Sequence, residues 1–184
     1  GCGGSRRVAM QAPKNGFFYV LDAETGEFIS GDAFVPQNWT TGLDETGRPI
    51  EIADARYGEV PFQQTPGPLG AHNWHPMAYS PDTGYVYLPT QDIAGIYSLS
   101  SEWKKDHKYA PEQNWWNTGL DWADYVDAIK SLGEIPESHG FLKAWDPVKG
   151  EVAWQVEYPA PLNGGVLATK GGLVFQGTAD GYLY

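Results

Sequence analysis

Asn73 and Trp74 set a carboxamide beside a large flat indole, a pair that contacts ligands readily when a strand framework holds it. The plainer reading of the same pair is a buried Trp whose neighbouring Asn satisfies loop backbone. His72 and His75 flank it at a spacing that could suggest two metal ligands. Pro76 and the nearby glycines argue against the helix that would bring them together, and no third ligand is evident. Asp121, Asp124 and Asp127 are spaced by three. A calcium loop of the EF-hand type needs ligands at alternate positions and a closing Glu, so a solvated acidic helix face is the better reading. There is no Gly-x-Ser-x-Gly elbow and no convincing Ser, His and Asp set for hydrolysis.

The elements around Asn73-Trp74 must therefore be a bent loop and strands. In the stretch 67–89, Gly67, Pro68, Gly70 and Pro76 forbid a regular helix. Turn chemistry at 80–84 then separates Met77-Ala78-Tyr79 from Tyr85-Val86-Tyr87-Leu88, which predicts a hairpin.

Composition extends this picture to the whole chain. Of 184 residues, 14% are aromatic, with 8 Trp and 11 Tyr, and there are 23 Gly and 14 Pro; short strands, frequent turns and aromatics between sheets follow. The formal net charge of −11 makes a nucleic-acid partner improbable, because phosphate binding needs a basic surface. Cys2 is the single cysteine, which excludes an internal disulfide and a cysteine-based metal site. No apolar run reaches the length of a membrane span, and no basic-plus-apolar leader opens the chain. Residues 1–5, GCGGS, read as a loop or a cloning remnant and stand outside the fold prediction.

Strands are expected over 7–11, 17–21 and 27–30, joined by turns at 12–16 and 22–26. The stretch 34–65 reads as a long ordered loop holding a short hairpin, 91–102 as a stretch that holds another strand, and 121–132 as a short helix ending at Gly133. Strands return at 141–145 and 151–156 around an Asp146 to Gly150 turn, and again at 164–169 and 173–177, with the chain stopping in mid-strand. The recurring unit of strand, Asp- and Gly-containing turn, and strand predicts an all-β fold of antiparallel four-stranded meanders with one short helix, a partial β-propeller over 6–184.

Ala144-x-Asp146-x-x-x-Gly150-x-x-x-Trp154 resembles the tryptophan-docking motif of quinoprotein dehydrogenase propellers. With the runs 10–22, 67–81 and 163–169, it makes the chain similar to the later, C-terminal part of a pyrroloquinoline-quinone (PQQ)-dependent alcohol dehydrogenase, covering about three blades of an eight-bladed family propeller. The resemblance implies that Lys14 hydrogen-bonds the quinone oxygens, that Asn73 and Trp74 contact the same cofactor, and that Val166 lies at its rim. Hydride transfer to a quinone places negative charge on its oxygens, so an ammonium such as Lys14 would act most strongly where water is excluded. The docking motif further implies that Trp154 is buried between meanders.

The family's catalytic aspartate, its calcium ligands, its adjacent-cysteine disulfide and its stacking Trp match no segment here, and neither does a haem-binding Cys-x-x-Cys-His. The resemblance therefore supplies no catalytic residue and no metal ligand within this chain. It implies a fragment or subunit carrying one side of a cofactor pocket, with a periplasmic location, and with alcohol, PQQ and the remaining blades as partners. A non-catalytic propeller-type binding or assembly module is the alternative. Open sheet edges favour pairing with a partner or self-association.

Overall fold

The computed structural model describes residues 6–58, 60–106, 119–120, 132–133 and 136–184. Strands β1 (Val8–Gln11), β2 (Phe17–Asp22) and β3 (Phe28–Ala33) form a three-stranded antiparallel sheet. Strands β4 (Thr40–Leu43) and β5 (Pro49–Glu51) make the short hairpin expected inside the long loop, and β6 (Phe62–Gln64) closes that excursion.

The middle sheet contains β7 (Ala78–Tyr79) and β8 (Val86–Asp92) followed, after β9 (Gly95–Tyr97) and the helix α1 (Ser101–Asp106), by β10 (His139–Asp146) and β11 (Glu151–Tyr158). Its spatial order is β11-β10-β8-β7, and β9 pairs with β6. The last pair is β12 (Val166–Ala168) with β13 (Val174–Gln176).

Local chemistry explains the turns. The Asp22 carboxylate accepts from the backbone N–H groups of Glu24 and Thr25, Asp44 accepts from those of Thr46 and Arg48, and Asp146 from those of Val148 and Lys149. Each is an Asx-type turn in which a short side chain stands in for a backbone acceptor. The Arg6 guanidinium, followed by those two backbone donors, holds the Asp22 carboxyl well below the usual carboxylate range. At 80–84 the same geometry is reached without the Asp82 carboxylate: Gly84 N–H donates to Ser80 O, and the Thr83 hydroxyl accepts from Tyr85 N–H.

Alternation along β10 buries both faces of the middle sheet. Trp145, with Val86 and Leu88, packs against Phe18, Val20, Phe34 and Val35 of the first sheet and its exit. Leu142 and Ala144, with Tyr87 and Tyr158, pack against Val166 on the other side. Lys143 is also buried on β10, and its ammonium donates to Phe34 O at 2.6 Å. Burial pushes that ammonium's pKa down, and the Asp92 carboxylate opposes the shift.

One expectation changes here. Trp154 is not buried: it lies on β11, the outer strand of the middle sheet, 41% exposed, with one side against the Tyr87 ring at 5.8 Å. Burial of an outer strand requires a further layer, and Val166 of β12 packs with Tyr158, four residues further along β11 than Trp154. The stretch 91–102 holds the further strand expected there. It holds the end of β8, then β9, then the start of α1, where the Ser100 hydroxyl accepts from Trp103 N–H and caps the first turn. The helix expected over 121–132 lies outside the described residues.

Candidate functional site

The turn between β1 and β2 is Pro13-Lys14-Asn15-Gly16. Gly16 adopts φ +89° and returns its N–H to Pro13 O, while the Asn15 side chain accepts from Phe17 N–H. This projects Lys14 away from the sheet. Its ammonium donates to Pro68 O at 3.1 Å, and its main-chain carbonyl accepts from Ala71 N–H at 3.0 Å.

The loop that receives Lys14 could not be built from ordinary residues. Gly70 has φ +81°, and a methyl placed there would run into the Lys14 side chain and Cα. Gln91, buried on β8, donates its carboxamide N–H to Gly70 O at 2.8 Å and to Leu69 O at 3.4 Å. Asn73 donates to the same Leu69 carbonyl at 3.3 Å. Lys14 and Asn73, 59 positions apart in the chain, are thereby gathered on consecutive carbonyls of one short loop.

Trp74 projects from this loop 80% exposed, stacked on the His75 ring with centroids 4.2 Å apart. Burial, then repulsion from His72, holds the His75 imidazole below its ordinary value. Beside them opens a cavity of about 360 Å³ whose walls include Asn73, Trp74, Gln91, Leu162 and Asn163. Its far side is the 160–165 turn, held from behind by Asn163, which donates to Ala160 O and accepts from Ala179 N–H, and by Gln176, which donates to Gly164 O. Gly165 lies so close to Pro76 that no side chain would fit there, and Val166 N–H donates to Pro76 O.

Of the four residues singled out from sequence, Asn73 and Trp74 line the cavity, while Lys14 is exposed and meets the same loop at Pro68 O without lining it. Val166 does not line the cavity: its side chain is buried among Tyr87, Leu142 and Ala144, and the glycines before it form the wall. His72 is committed to the backbone through both ring nitrogens. Sequence reasoning passed over Gln91 and Asn163. Only their polarity within apolar runs marked them.

The surroundings suit a flat polyoxygenated aromatic such as a quinone. They offer one exposed indole face, carboxamides on two walls, and glycines that let backbone approach closely. Among the described residues, no three His, Cys, Asp or Glu side chains converge on a point that could hold a metal ion.

This arrangement of antiparallel sheets with a site on the loops at their ends is that of a segment of a β-propeller. No protein-family model matches the chain. Its sequence is 48% identical over 183 residues to the quinohemoprotein alcohol dehydrogenase of Comamonas testosteroni, a match covering 98% of this chain and 25% of that protein. It is 46% identical over 185 residues to the lupanine 17-hydroxylase (cytochrome c) of a Pseudomonas species, covering 98% of this chain and 24% of that protein. The crystal structure of the Comamonas testosteroni enzyme superposes with a TM-score of 0.83 at 45% identity, over 99% of this chain and 27% of that one. A europium-containing methanol dehydrogenase superposes with a TM-score of 0.75 at 26% identity, over 98% of this chain and 30% of that one. The chain is thus similar over nearly its whole length to quinohemoprotein and related alcohol dehydrogenases, and spans about a quarter of the length of these relatives.

Proposed function

We propose that this protein supplies one side of the quinone pocket of a PQQ-dependent alcohol dehydrogenase. The observation that carries the reading is the convergence of Lys14, Asn73 and Trp74 on the 67–76 loop beside a cavity of about 360 Å³. When bound, PQQ supplies the hydride acceptor for alcohol oxidation. Trp74 offers a stacking face. The Asn73 amide orients oxygens near it, and the Lys14 ammonium favours the negative charge those oxygens gain. The 160–165 turn and Gly165 shape the opposite wall.

Within this reading no residue of the chain is the general base, and none is a calcium ligand; the rest of the propeller provides both. The location is periplasmic, and the partners are an alcohol, PQQ and the remaining blades, which about three blades over 6–184 would join. An assembly role without catalysis is favoured by one feature, the exposed Trp154 and Val156 along the outer strand β11.

Dye-linked alcohol oxidation, with and without the remaining blades supplied in trans, tests the proposal. The chain with PQQ and calcium alone should run at least about 10²–10⁴-fold below the reconstituted protein, the usual cost of a missing general base. Lys14→Ala should weaken quinone binding to the reconstituted form. Full turnover by the chain alone, or reconstituted activity indifferent to Lys14→Ala, overturns it.

A further inference from the structure

Leu162 stands in the left-handed region of backbone space, with φ +61°, the only residue other than glycine to do so among the described residues. A Cβ in that conformation crowds the following carbonyl, so glycine takes it freely and a bulky apolar residue is disfavoured there. A residue held against its own preference points to a constraint other than stability.

Packing does not account for the leucine. Its side chain is 49% exposed and belongs to neither of the two buried clusters. The turn is fixed from behind by other groups. Asn163 donates to Ala160 O and accepts from Ala179 N–H, and Gly140 of β10 lies so close to Ala160 O and Pro161 Cα that no side chain would fit there. None of these contacts uses the leucine side chain, and all of them would hold a glycine at 162 equally well.

What Leu162 does border is the cavity. Leu69, Trp74 and Leu162 are three large apolar side chains on its walls, and each is left open to solvent. Leu69 and Trp74 stand on the 67–76 loop, whereas Leu162 comes from the turn across from it. A flat ring filling this cleft of about 360 Å³ would take apolar surface on both sides out of water.

The geometry points to Leu162 as a ligand-contacting residue, whose side chain covers a bound aromatic ring from the 160–165 turn while Trp74 covers it from the 67–76 loop. The inference rests on the quinone reading given above. Leucine at 162 serves binding at a cost to the fold, so relieving the backbone there should strengthen the fold and weaken binding.

The test is titration of the full chain with PQQ, read by quenching of tryptophan fluorescence, alongside urea unfolding of the same variants. Leu162→Gly should unfold at a higher urea concentration than Leu162→Ala, because glycine relieves the left-handed backbone and alanine does not. Both should bind PQQ about fivefold more weakly than the unsubstituted chain, the loss expected of a half-covered leucine contact. Leu162→Asn, which tolerates the conformation but is polar, should be weakened likewise. Leu162→Met, apolar and similar in volume, should bind within about twofold of the unsubstituted chain. The Leu162 methyl signals, identified as those that Leu162→Met removes, should shift when PQQ is added.

Unchanged affinity in Leu162→Gly and Leu162→Asn overturns the inference, as does a Leu162→Ala variant more stable than Leu162→Gly, or methyl signals that PQQ leaves in place. If the folded, unsubstituted chain binds no PQQ, the reading of the site fails and takes the role of Leu162 with it. A failure confined to the Leu162 variants, with the unsubstituted chain still binding, leaves that reading standing.

Discussion

The two faces of the middle sheet are built from similar strands yet end differently. Toward the first sheet, Trp145, Val86 and Leu88 are sealed against Phe18, Val20 and Phe34, and the Lys143 ammonium crosses to Phe34 O. Toward β12 and β13, the buried residues are fewer, and Leu167, Leu173 and Trp154 remain open to solvent. The first junction joins two sheets of comparable breadth. The second joins a broad sheet to a pair of three-residue strands. The candidate site spans the seam between them: its loop is tied by Lys14 and His72 on the closed side, and by Val166 N–H on the open side. A ligand there would contact both junctions, so their unequal stability bears on binding.

That inequality can be tested by paired substitutions. Trp145→Ala removes a side chain only 1% exposed, and a loss of about 3–5 kcal/mol is expected in urea unfolding. Trp154→Ala, on the outer strand, should lose well under half as much. Equal losses would mean that the open face is already sealed in solution. Gly70→Ala comes next: it forces a methyl onto the Lys14 side chain and an ordinary residue into φ +81°, with an expected cost of about 1–3 kcal/mol. It should also weaken PQQ binding. Stability lost with PQQ affinity intact would separate Lys14 from the site.

Alkaline pH probes the β6–β9 pair, which belongs to neither junction. Burial, then the neighbouring Tyr57, pushes the Tyr97 phenol up to about 12. Because the folded value is raised, this group's contribution is fully present below its ordinary value of about 10 and is lost as pH rises toward about 12. Lys143 acts with the opposite sign: its lowered value makes stability rise with pH up to about 10.4, the unfolded lysine value. The difference between Tyr97→Phe and the unsubstituted protein isolates the tyrosine, and the alkaline fall should shrink in the variant. An unchanged curve would remove Tyr97 from the account. The smallest effect belongs to Leu167→Ser on β12, 61% exposed, where a change within about 0.5 kcal/mol is expected. A larger loss would reveal cover over that strand.

Much of the strand layout was legible because it is local. The Phe17–Asp22 run, the Asp22 and Asp146 turns and the β10–β11 hairpin each follow from residues within a few positions of one another, where alternation and Asx-type turns act directly. Lys14 was marked as a candidate only through resemblance, since nothing local distinguishes a turn lysine at the edge of a pocket from one in solvent, whereas Asn73 and Trp74 were also marked by an amide set beside an indole on a bent loop. Trp154 was misjudged because its burial depends on what lies beyond β11, and a motif does not carry that information.

Sequence by itself therefore determined the strands, the tight turns, the acidic surface and the bent loop at 67–76, all of which arise from backbone preferences and side-chain chemistry over short spans. Tertiary structure alone decided which carbonyls that loop presents and to whom. Lys14 reaches Pro68, Gln91 reaches Gly70, His72 reaches back to Ala12, and Lys143 reaches Phe34 across 109 positions. For Gln91, His72 and Lys143, which are buried, the physical reason is that a polar group taken out of water is stabilised by a hydrogen-bond partner, and the main chain offers acceptors everywhere. Only the packed fold selects one of them.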